Sequence, residues 1–123
     1  MKYLIMIRHN PQSRELFMRL SADQRTEGLA AYARLNEELA ASGELVVSEA
    51  LADPALAKQV LVRDGQTVTS DGPFAEAKEH LAGIYLVDCD SIDRAVEYAA
   101  RIPEAQHLPV EVRPVMDLGA FEM

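Results

Sequence analysis

Cysteine is nearly absent: Cys89 stands alone among 123 residues, so no internal disulfide can staple the chain. No Cys/His spacing of the zinc-binding kind occurs either, and a reduced, cytoplasmic setting is the expectation. Long apolar runs are missing too. The opening MKYLIMIRHN is continuously apolar only from Tyr3 to Ile7, too short for a signal core or a membrane span, and no later segment does better. Basic clusters are also lacking: 12 Lys and Arg stand against 20 Asp and Glu, a formal charge of −8. Such a chain is repelled by phosphate backbones and anionic lipid, which argues against nucleic acid or membrane as a direct partner. There is no glycine-rich phosphate loop and no metal-ligand spacing, so no cofactor and no metal is expected. Repeats, low-complexity tracts and flexible linkers do not occur, and the length suits one domain with one core, residues 1–123.

What is present reads as alternating elements. Lys2 to His9 is β-prone, and both alternating sets, Tyr3, Ile5, Ile7 and Leu4, Met6, are apolar, as in a strand buried on both faces. Ser13 to Leu20 adds a short helical turn after Pro11. Ser21 and Gln24 then form a capping box, and Leu29, Tyr32, Ala33, Asn36, Leu39 and Ala40 follow helical spacing up to Gly43, predicting a helix over Ala22 to Ser42. Glu44 to Leu51 reads as a strand. Gln59 to Arg63 and Gln66 to Ser70 flank Asp64-Gly65, which supplies the positive φ of a two-residue hairpin turn. Gly83 to Asp90 is a second strand apolar on both faces. Ser91 or Asp90 caps a short helix carrying Ile92, Ala95, Val96, Ala99 and Ala100, and Pro109 to Met116 is a final strand that Pro114 places at an edge or an end.

The order is β-α-β-β-α-β with an inserted β-hairpin. Two β-α-β units with right-handed crossovers build an α+β, ferredoxin-like sandwich, its first and third main strands central. Two helices cover only one side of such a sheet. With both faces apolar, the second side calls for another cover, and an identical sheet in a two-fold homodimer is the economical one.

The densest group of ionisable side chains runs from Asp71 to His80. Gly72 allows close backbone approach, Pro73 stiffens the turn, and Phe74 can form an apolar wall. Asp71, Glu76, Lys78 and His80 supply acid, base and cationic functions at short range. A plainer reading stands beside this one: Asp71 closes an Asx turn, Phe74 plugs the core, and the charges are solvated pairs. His9 and His107 read as ordinary polar residues.

Asp71-Gly72-Pro73-Phe74 followed by Ala75-Glu76-Ala77-Lys78-Glu79, the strand Gly83-Ile84-Tyr85-Leu86, Ala99-Ala100-Arg101-Ile102-Pro103 and Val110-Glu111-Val112-Arg113-Pro114 carry a resemblance over nearly the whole chain. The sequence resembles DGPF-type members of the YCII-related family. That resemblance implies a ferredoxin-like, dimeric α+β barrel. Many members are of unknown function, some related proteins are enzymes acting on small molecules, and some DGPF-type domains are associated with sigma factors of the extracytoplasmic-function type. Transferred residue by residue, it favours Asp71, Gly72, Pro73, Phe74, Glu76 and Lys78 as pocket elements, with Glu49 and Arg113 from neighbouring strands. The broader family is associated with a His-Asp pair whose His lies in the first helix. Here that helix holds no His and has Tyr32 near the position, Ala77 stands where Thr is usual, and His80 stands where a Gln-like residue is more frequent.

Two functions follow as expectations. In one, a small-molecule enzyme of lyase, isomerase or hydrolase type uses Asp71, Glu76 and Lys78 for catalysis and Glu49, Phe74, Arg113 and Tyr32 for substrate binding. In the other, the same pocket binds without transforming its ligand, in an interaction module that works beside a transcription regulator.

Overall fold

The computed structural model describes residues 1–74 and 78–121. It is α+β, with three α-helices and two antiparallel sheets among the described residues. Strand β1 (Lys2–His9) leads through a tight turn into α1 (Pro11–Met18) and then α2 (Ala22–Ser42). Strand β2 (Leu45–Ala50) is followed by a 3₁₀ turn at Pro54–Leu56, and then by β3 (Lys58–Arg63) and β4 (Gln66–Asp71). The chain closes with β5 (His80–Asp88), α3 (Ile92–Ala100) and the short strand β6 (Glu111–Pro114). The larger sheet has the order β2-β5-β1-β6, with β1 and β5 at its centre, while β3 and β4 form a separate two-stranded arm. Among the described residues no helix is long and apolar enough to cross a membrane.

Local chemistry sets the helix ends. The Ser21 hydroxyl accepts from the Gln24 N–H while the Gln24 side chain accepts from the Ser21 N–H, which satisfies two of the four free donors at the start of α2. Gly43 ends that helix in the left-handed region at φ 77°, which glycine adopts without steric cost. In the arm, Asp64 and Gly65 take φ of 52° and 75°, the two positive values that a type I′ turn demands.

Alternate residues of the central strands make the core. Tyr3, Ile5 and Ile7 of β1 and Tyr85 and Val87 of β5 pack with Leu35 and Leu39 of α2, Ala95, Tyr98 and Ala99 of α3, and Ile102. The stripe read from the sequence of α2 shifts accordingly. Leu35, outside that stripe, is buried, whereas Leu29 is 72% exposed because the first half of the helix lies beyond the core cluster. Asn36, the polar interruption, accepts a 2.6 Å hydrogen bond from the Tyr85 hydroxyl. At the other end Glu44 accepts from the Tyr98 hydroxyl at 2.6 Å and from Arg94 at 3.1 Å, and the Arg94 guanidinium lies over the Tyr98 ring. These bonds tie α3 to the turn between α2 and β2. They also hold the Glu44 carboxyl below its ordinary value, the Tyr98 bond first and the Arg94 bond second.

The opposite set of strand residues turns away from that core. Strand register aligns Val47, Leu86, Leu4 and Arg113 in one row across the sheet, and Glu49, Ile84, Met6 and Glu111 in the next. Each row is apolar in its middle; the second ends on charge at both edges, the first only at Arg113. Arg8 extends along the second row, donating to Glu111 at 3.1 Å and reaching the Met6 sulfur.

Candidate functional site

One end of the larger sheet gathers five segments: the last residue of β1, α1, the chain after β2, the segment after β4, and the start of β5. The tight turn from β1 is held by Asn10, whose Oδ1 accepts from the Ser13 N–H at 2.7 Å while Ser13 Oγ accepts from the Asn10 N–H at 2.9 Å. This box, with Pro11 in the first helical turn, starts α1 directly after His9 and so sets Arg14 beside the strand end. Across the site, Asp53 Oδ1 accepts from the Ala55 N–H at 2.9 Å and caps the 3₁₀ turn, while Oδ2 accepts from Arg14 at 3.0 Å. The Ala55 N–H and then the Arg14 guanidinium hold the Asp53 carboxyl below its ordinary value.

The motif Asp71-Gly72-Pro73-Phe74 docks on this turn. Gly72 N–H donates to the Ala57 carbonyl at 2.8 Å, and a Cβ on Gly72 would stand 2.2 Å from the Pro54 carbonyl oxygen. Only glycine tolerates that approach. The docking sets Phe74 into a cleft of about 340 Å³ walled by Leu51, Pro54, Leu56, Phe74 and Leu81, with Asp53 and His80 as its ionisable groups.

His80 opens β5 opposite His9, the last residue of β1, so the two side chains share a face at the end of the ladder. Their ring centroids lie 5.8 Å apart with the planes tilted by 40°. Nδ1 of His9 is buried with no hydrogen-bond partner among the described residues. Burial, then Arg14 and His80, push the His9 pKa below its ordinary 6.5, against a smaller opposing pull from Asp53. A neutral imidazole at pH 7 offers one N–H and one lone pair, which suits it to transfer a proton or to hold a polar ligand atom.

The residues singled out in the sequence are spread more widely. Phe74 lines the cleft. Asp71 lies at the base of the arm, exposed and paired with Lys58 at 2.7 Å, and Lys78 is exposed. Glu76 falls outside the described residues. Glu49 and Arg113 occupy opposite edges of the second sheet face, with Arg113 paired to Glu111. Tyr32 sits in the helix layer and donates its hydroxyl to the half-buried Glu104, whose pKa burial raises. The structure therefore brings together Phe74, His80, His9, Asp53 and Arg14. Of these, sequence reasoning gave Phe74 a binding role and counted His80 among the ionisable groups of the candidate segment, without its partner. The signal for the rest was the pairing of the two central strands, which sets the end of one against the start of the other.

Comparison with known proteins adds family and little else. A stretch of 53 residues is 47% identical to a protein of Rhizobium meliloti (strain 1021) that is described only as uncharacterized. The match spans 42% of this chain and 43% of that protein. The sequence pattern of the YCII-related domain matches residues 1–119, and the chain therefore belongs to the YCII-related domain family.

Proposed function

We propose that this chain is a small-molecule-binding domain whose ligand occupies the cleft against Phe74 and His80, with His9 and His80 as the groups that hold or move a proton. The buried, unpartnered Nδ1 of His9 beside the cleft carries the reading, because a buried polar atom without a partner is costly unless something supplies one. The cleft has the size and character of a small-ligand site, mainly apolar walls with a few convergent polar groups. In this reading the exposed Asp71, at the end of β4, and the exposed Lys78 supply charge to the ligand, and Glu76, outside the described residues, is a third acid-base candidate.

A metabolite screen by thermal shift tests this, since a ligand bound only by the folded state raises the melting temperature. The expected hit at pH 7.5 loses its shift in His80→Ala and binds about tenfold more weakly in His9→Gln, the equivalent of one hydrogen bond. Asp71→Ala, Glu76→Gln and Lys78→Ala reduce affinity less. A hit that survives both histidine substitutions refutes the assignment. The pH dependence has a definite sign. With the folded-state pKa of His9 below 6.5, the unfolded chain takes up its proton first. The stability and ligand binding that rest on neutral His9 are therefore full above pH 6.5 and decline as pH falls towards the folded value.

The same reading includes the quaternary state. The strand order β2-β5-β1-β6 supports a ferredoxin-like β-α-β-β-α-β arrangement, and the helices lie over one face of its sheet. Leu4, Met6, Ile84 and Leu86 form the middle of the other face, which a second copy covers in a homodimer. Leu86→Glu places a charge at the centre of that contact and is expected to halve the mass measured by light scattering. An unchanged mass rules the sheet-face contact out.

A further inference from the structure

A ligand lying in the cleft as it stands does not reach His9. Asp53, Phe74 and His80 are among the cleft walls, but His9 is not, and its Nδ1 has essentially no surface open to water. For His9 to hold a ligand atom, a neighbour must move. Three groups bear on its charge: Arg14, His80 and Asp53. His80 is fixed in the ladder of β1 and β5, and Asp53 caps a 3₁₀ turn that carries the buried Pro54. Arg14 belongs to α1, which is held by much less.

Of the three α-helices among the described residues, only α1 buries no side chain. Leu16, Phe17 and Met18 are 46%, 59% and 75% exposed, so hydrophobic burial does little to hold the helix in place. The helix itself is well made, started by the Asn10 and Ser13 box and braced by Arg19 pairing with Glu15 one turn back at 2.6 Å. It is a firm unit on weak moorings. At its far end Arg25 of α2 donates to the Met18 carbonyl at 3.0 Å and lies over the Phe17 ring, which keeps that end near α2. Nearer the strand, the tie is Arg14 to Asp53 at 3.0 Å, with both side chains about half exposed. An ion pair in that setting contributes little and weakens with salt.

We propose that α1 is a lid over His9, swinging about its two ends and latched between them by the pair of Arg14 and Asp53. This deepens the reading of the cleft as a ligand site and rests on it. Opening breaks one exposed ion pair and leaves the strand pairing and the core cluster intact. The movement uncovers Nδ1 of His9 and releases Oδ2 of Asp53 on the cleft wall, so a ligand gains two polar atoms at once. Closure then returns the helix over the bound molecule.

Nuclear magnetic relaxation dispersion on the full chain reads the lid without any ligand, because opening of this kind falls in the microsecond to millisecond range. The amides of α1 and the ring of His9 are expected to share one exchange process. Arg14→Gln raises the open population about threefold, which is what an exposed ion pair supplies, while Arg14→Lys keeps the charge and stays near the parent. Raising salt from about 0.05 M to about 1 M opens the parent in the same way and leaves Arg14→Gln unchanged. Flat profiles throughout α1 overturn the inference, as does exchange that is identical in the parent and in Arg14→Gln. The two readings fail separately. A metabolite screen without histidine-dependent hits refutes the cleft as a ligand site whatever α1 does, whereas an immobile α1 refutes the lid and leaves the cleft to ligands that touch His80 alone.

Discussion

Gly72→Ala is expected to cost about 3 kcal/mol of folding stability and to abolish the cleft, measured by urea denaturation and by loss of any ligand-induced thermal shift. A Cβ at this position would sit 2.2 Å from the Pro54 carbonyl oxygen and 3.2 Å from that of Ala57. Both obstacles are backbone, so neither can swing aside as a side-chain tip would. To relieve the overlap, the segment must lift from the 3₁₀ turn, breaking the Gly72 to Ala57 hydrogen bond and withdrawing Phe74 from the wall it forms. Overpacking alone costs about 1–3 kcal/mol, and the broken bond adds about 1 kcal/mol. Gly28→Ala is the matched control with the opposite sign. Nothing lies within 4 Å of its added Cβ, and alanine within a helix is better than glycine by about 0.5–1 kcal/mol, so stability rises. If Gly72→Ala is as stable as the parent chain, the docking of the motif on the turn is wrong.

That pair of glycines shows why the motif at Asp71 to Phe74 was legible as important and not as to its role. Glycine in a turn announces either positive φ or close approach, and here it is the approach that matters. Which carbonyl it approaches lies 18 residues earlier in the chain, at Pro54, and no local pattern carries that information. The histidine pair was lost for a related reason. Reading β5 from Gly83 left His80 outside the strand, in a turn and a possible short helix, whereas the ladder continues to His80 through an irregularity between Ile7 and Arg8 and meets His9 there. Helix α2, by contrast, was legible to the residue at both ends, because a capping box and a left-handed glycine are local chemistry. The hairpin turn at Asp64-Gly65 was legible on the same ground.

The buried stripe of α2 was less legible than its ends, and this leads to the largest stability effect expected in the chain. A helical repeat shows which residues share a face but not how far along the helix the sheet extends. Leu29 and Leu39 look alike in the sequence pattern, yet Leu39 has no exposed surface while Leu29 is 72% exposed. Leu39 packs in the cluster that joins β1, β5 and α3, where nearby side chains are themselves close-packed and cannot collapse into a vacated space. Leu39→Ala is therefore expected to cost about 3–5 kcal/mol, the lost transfer energy of the side chain plus the cavity left behind. Since small domains are stable by only about 5–15 kcal/mol, this substitution removes a large share of the total and lowers the urea midpoint accordingly. Leu29→Ala, which removes the same atoms from water-exposed surface and improves helix propensity, should lie within about 0.5 kcal/mol of the parent. Urea midpoints for the two variants decide the matter. Equal losses would mean that the first half of α2 is covered in solution, which would make Leu29 part of a contact between chains.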